Sequence, residues 1–139
     1  MKKFIAIMVG LVMVFCLVGC VVGVEVEPES DTEGQTMTFV ESKVVTLNEQ
    51  EYIGLFYDYT NNSGETKMAC DDFDVNTFQN GIELTVVVYT GQTTEGAIQC
   101  DTSVQSGNTA RVVWLFEIVD ESPVSVEMSN GETFTVEVK

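Results

Sequence analysis

NTARVVWLFEIVD, residues 108–120, sets the reading of the whole chain. Val112, Trp114, Phe116 and Ile118 recur at every second position, with Arg111 and Glu117 on the opposite face. Side chains two apart share one side of an extended strand, whereas a helix would scatter them around its axis. The stretch is therefore a strand, and its tryptophan a core residue. The same period recurs outward from it. In EYIGLFYDYT, residues 51–60, Ile53, Leu55, Tyr57 and Tyr59 take one face, and Gly54, Phe56, Asp58 and Thr60 the other. Val124, Val126 and Met128 alternate with Ser125 and Glu127, and Phe134, Val136 and Val138 alternate with Thr133, Thr135 and Glu137. A further strand or two is expected around Thr38 to Leu47, and others in DDFDVNTFQ (71–79) and ELTVVVYT (83–90).

Turn chemistry separates these runs. TNNSGE (60–65) joins Asn and Ser, which bond their own backbone, to a glycine that tolerates positive φ, and Asn80-Gly81 and Asn130-Gly131 are two-residue hairpin signals. Outside the amino terminus no window has a 3.6-residue period. About seven short strands in roughly 100 residues predict an all-β, immunoglobulin-like antiparallel β-sandwich over residues 37–139, preceded by an N-terminal hydrophobic signal helix.

The amino terminus has its own grammar. Lys2 and Lys3 precede 21 residues, Phe4 to Val24, that are all apolar, cysteine or glycine. That length permits either a secretory signal or an uncleaved transmembrane span. Leu17-Val18-Gly19-Cys20 resembles the lipobox of bacterial lipoproteins, with a small residue before the cysteine and an aliphatic one three before it. The resemblance implies a signal peptide over 1–19, a diacylglycerol on the Cys20 thiol and cleavage just before it. Cys16 follows Phe15, too large for that position. Acylation and a span both leave the lysines inside and everything after Cys20 on the extracytoplasmic face of the cell membrane. Residues 20–36 follow as a tether, in which Glu25 to Thr36 holds five acids and reads as a solvated spacer.

YDYTNNSGE (57–65), FQNGIEL (78–84) and VVWLFEIVDESPVSVEM (112–128) together resemble uncharacterised bacterial lipoproteins with a telokin-like, immunoglobulin-like domain of unknown function. The shared features are an aromatic-Thr-Asn-Asn-Ser turn at Tyr59 to Ser63, a Gln-Asn-Gly hairpin at Gln79 to Gly81, and an apolar strand running into Asp120-x-Ser-Pro-Val. These are structural turns. The resemblance therefore implies a fold and a lipoprotein setting, and no activity.

Charge and composition narrow the function. Beyond residue 19 there are four basic and twenty-two acidic residues, a net charge of −18. Such a surface repels nucleic acid and anionic headgroups, so no nucleic-acid partner is expected. The chain has no histidine, which removes the usual general base near neutral pH and the usual zinc ligand. Cys70 and Cys100 are the cysteines beyond the anchor. Outside the cytoplasm they predict one disulfide closing 29 intervening residues, contributing ~3 kcal/mol; the alternative is two free thiols. Asp72, Asp74, Asn76, Asn80 and Glu83 imitate the spacing of a calcium loop, but Thr77 stands where the sharp turn needs glycine, and a polar strand face is the simpler reading. No Gly-x-Ser-x-Gly, phosphate loop or triad is present, so neither catalytic nor metal-ligating residues, nor any cofactor, are expected. The expected function is a membrane-anchored, non-catalytic binding or interaction module with a protein or envelope partner; the alternative is a cation- or small-ligand-binding accessory lipoprotein.

Overall fold

The computed structural model describes residues 34–89 and 92–139. The expected signal helix, Cys16, Cys20 and all but the last three residues of the tether lie outside them. Among the described residues there are twelve strands and one helical turn: β1 (Gln35–Leu47), β2 (Gln50–Asn61), β3 (Lys67–Met68), α1 (Ala69–Asp72), β4 (Val75–Gln79), β5 (Ile82–Glu83), β6 (Val86–Val87), β7 (Thr93–Thr94), β8 (Ala97–Gln99), β9 (Ser103–Val104), β10 (Asn108–Glu117), β11 (Val124–Met128) and β12 (Thr133–Val136). The fold is an all-β sandwich. Only six strands have four residues or more; the rest are bridges of two or three, which is why the count exceeds the seven expected from longer runs. β1 begins two residues before the Met37 boundary read from the sequence.

One layer is built on the antiparallel trio β1-β2-β10, extended along β10 by β8, β7 and β6; the other runs β12-β11-β4-β5. β8 lies parallel to β10, pairing Ile98 with Val112 and Gln99 with Val113, the one departure from the antiparallel expectation among the described sheets. β3 and β9 form a separate two-stranded ladder. The main core lies between the layers. Ile53, Leu55, Tyr57 and Tyr59 from β2, and Val112, Trp114 and Phe116 from β10, meet Val75, Val124, Val126 and Val136 from the opposite sheet. Trp114 is buried, its ring edge-on to Tyr57 at 5.4 Å between centroids.

The other face of the large sheet is buried too. Val45, Tyr52, Phe56, Val113, Leu115 and Ala97 form a second cluster, joined by Leu47, Val87 and Tyr89. Tyr89, beyond β6, reaches Tyr52 through a hydroxyl–hydroxyl hydrogen bond of 2.9 Å. At Gly54 an added Cβ would come within 2.9 Å of the Phe56 ring and 3.1 Å of Val45, so this strand position is held to glycine by a close approach. β1 joins both clusters because its register against β2 slips by one residue at Val40. Met37 and Phe39 face inward before the bulge; after it the odd-numbered Lys43 and Val45 face outward, opposite Gly54 and Tyr52.

Candidate functional site

Three polar or chemically reactive arrangements stand out from the apolar framework. Gln79, the last residue of β4, is fully buried at 1 % exposure and spends its whole amide on one loop. Its Nε2 donates to the carbonyls of Asp120 (2.8 Å) and Ser122 (2.7 Å). Its Oε1 accepts from the N–H groups of Val119 (2.8 Å) and Asp120 (3.4 Å). Next to it, Asn80 donates to Asp120 Oδ2 at 2.9 Å, and the Ser122 N–H donates to Asp120 Oδ1 at 2.7 Å. Hydrogen bonding from Ser122, with Asn80 adding to it, holds the Asp120 carboxyl below the usual carboxylate range. The Gln-Asn-Gly and Asp-x-Ser-Pro-Val motifs are thus two halves of one staple.

Asn61 does the same work at the opposite turn. Its buried Nδ2 donates to the carbonyls of Glu65 and Val104, each at 2.7 Å, while its Oδ1 accepts from the Ser63 N–H and hydroxyl at 3.0 and 2.7 Å. Its own carbonyl accepts from the Gly107 N–H at 2.6 Å. Peptide groups in loops have no ladder to join, and a side-chain amide with two donors and two acceptor lone pairs can satisfy several of them.

The third arrangement is the cysteine pair. Cys70 lies in α1 and Cys100 just past β8. The Cys70 N–H donates to the Cys100 carbonyl at 3.1 Å, and the Cys100 N–H continues onto Val113 of β10 at 3.2 Å. Both thiols are free in this structure. Burial, and then the Asp71 carboxylate, raise the Cys70 thiol, while burial, Cys70 and Asp101 push the Cys100 thiol up to about 12. Thiols so protonated are poor nucleophiles and poor metal ligands. Beside them the Tyr59 hydroxyl donates to Asp72 Oδ2 at 2.6 Å, and Lys67 reaches Oδ1 at 3.3 Å. Asp72 is therefore committed to the fold, and Asn80 belongs to the Gln79 staple. Of the residues spaced like a calcium loop, neither is turned toward a shared centre. Among the described residues no three Cys, Asp or Glu side chains are grouped to hold a metal ion.

Two hollows accompany these groups. A groove of about 740 Å³ runs beside the β1–β2 turn, lined by Glu49, Glu51, Asp120, Glu121 and the exposed Val119. A smaller cleft of about 250 Å³ opens between the layers, bounded by Cys70, Phe73, Val75, Val86, Val88 and Trp114. The expected cysteine pair is thus brought together at a cleft. The cleft itself escaped the sequence reading, although Val86-Val87-Val88 carried a signal. An unbroken apolar run puts such side chains on both strand faces, and a face left uncovered stays exposed.

Residues 25–130 match the family model described as Domain of unknown function (DUF5067). No curated protein and no solved structure matches the chain.

Proposed function

The chain belongs to the DUF5067 family, a family of unknown function, and from its own residues we propose that it is a lipid-anchored, extracytoplasmic, non-catalytic interaction module. In this reading Cys20 carries a diacylglycerol and becomes the new amino terminus, residues 20–36 hold the domain off the membrane, and an immunoglobulin-like, telokin-like sandwich meets a protein or envelope partner. The observation that carries it is Leu17-Val18-Gly19-Cys20 at the end of an apolar run headed by Lys2 and Lys3. The staples support the non-catalytic half: Gln79 and Asn61, the buried polar side chains of the shared motifs, are spent on loop backbone. In the extracytoplasmic space Cys70 and Cys100 join as a disulfide. The two thiols lose two protons and two electrons to a thiol oxidant of that compartment as the S–S bond forms.

Intact-mass measurement of the full chain expressed in bacteria, with thiols alkylated and no reductant, tests both points. The parent is expected without residues 1–19, with the added lipid mass and with no alkyl group on Cys70 or Cys100. The Cys20→Ser variant is expected to retain its first nineteen residues and carry no lipid. Equal processing and equal detergent partitioning of the two chains would refute the anchor, and alkylation at both remaining cysteines would refute the bridge.

A further inference from the structure

Between β4 and β6 the two layers do not close over one another. Val86 pairs with Phe116, so it shares that residue's inward face of the large sheet. Phe116 is 1 % exposed, yet Val86 is 49 % exposed and Val88, two residues on, 41 %. The opposite layer ends too early to cover them: its outermost strand, β5, has two residues, and the chain passes from it almost directly into β6. The result is the 250 Å³ cleft, which Trp114, Phe73 and Asp74 line together with the two valines. Among the described residues β6 pairs with β10 alone, leaving its other edge open to a further strand.

Size, edge and charge together select the occupant. Pockets for drug-sized ligands run from roughly 300 Å³ upward, so this cleft suits one or two side chains of a longer molecule. An exposed strand edge with side-chain pockets beside it is the geometry of strand addition, in which backbone bonds give affinity and alternate side chains give specificity. The chain carries a net charge of −16, which disfavours a second copy and attracts a cation. We propose that the cleft beside β6 receives an extended cationic segment of a partner polypeptide, its apolar side chains entering between Val86, Val88, Phe73 and Trp114 and its basic ones, on the alternate face, held in the field of the acidic domain. The proposal rests on the interaction-module reading and names where that module binds and what it binds.

Trp114 is the only tryptophan in the chain and reports directly on the cleft. The full chain, in a non-ionic detergent, is titrated with a blocked heptapeptide of alternating Lys and Leu, and separately with its Glu–Leu counterpart. The expected result is a saturable change in Trp114 emission with the Lys peptide, weakening as salt is raised, and none with the Glu peptide. Val86→Lys places a cation at the mouth and is expected to weaken binding at least about tenfold. Val119→Lys adds the same charge at an exposed position that does not line the cleft and is expected to bind as the parent does. An absent response, an equal response to the Glu peptide, or parental affinity in Val86→Lys would overturn the proposal. So would doubling of the mass without peptide in light scattering, which would put a second copy there. These arms are independent of Cys20 processing: the anchored-module reading fails on the mass of Cys20→Ser, and parental binding by Val86→Lys removes the cleft alone.

Discussion

Gln79 and Asn61 carry more of the fold than their polarity suggests, because each replaces several backbone partners that a loop cannot supply. Removing the Gln79 amide leaves two N–H groups and two carbonyls of the 119–122 loop without it. Part-buried groups stranded in this way lose partners that solvent replaces only in part. Gln79→Ala is therefore expected to lower unfolding free energy by about 3 kcal/mol in denaturant titration. Asn80→Ala, which removes an exposed contact to Asp120, is expected to cost distinctly less. Equal losses would show that Gln79 acts as hairpin geometry alone. These roles were half legible in the sequence. Gln79-Asn80-Gly81 and Tyr59-Thr60-Asn61-Asn62-Ser63 stood out as turns, but which amide faces inward depends on loops 40 residues or more away along the chain. The cysteine pair was legible as a pair, since its members were the two thiols left beyond Cys20; their shared place at a cleft was not.

At the scale of strands, alternation identified β2, β10, β11 and β12 and the inward face of each. It did not reveal that β2 and β10 are buried on both faces. The signal was present: Tyr52 to Tyr57 and Val112 to Phe116 are runs with no charged residue, which suits a strand covered on either side. The bulge at Val40 was not readable, because a one-residue slip shows itself only against a partner strand. Nor was the parallel pairing of β8, a three-residue strand positioned by tertiary contacts. Leu115 tests the second cluster. It faces away from the inter-layer core yet is fully buried. Leu115→Ala is expected to destabilise by about 2–5 kcal/mol, as a core truncation does, whereas a sandwich with one solvated face would lose little there. Chemical denaturation of the variant separates these outcomes.

On the scale of the whole molecule, the first nineteen residues and the remainder differ sharply in charge. The first nineteen residues hold two lysines and no acid, while the remainder carries a net −18. A charge of that size repels anionic surfaces and attracts cationic ones. The proposal requires the acidic stretch Glu25 to Glu33 to be an accessible connection between the two, as its composition favours. Its glutamates make the topology measurable. Limited digestion of intact spheroplasts expressing the full chain with a glutamate-specific protease is predicted to release a folded fragment beginning between residues 26 and 34 and to leave the amino-terminal stub with the membrane. A chain that stays uncut until the cells are lysed would contradict the account.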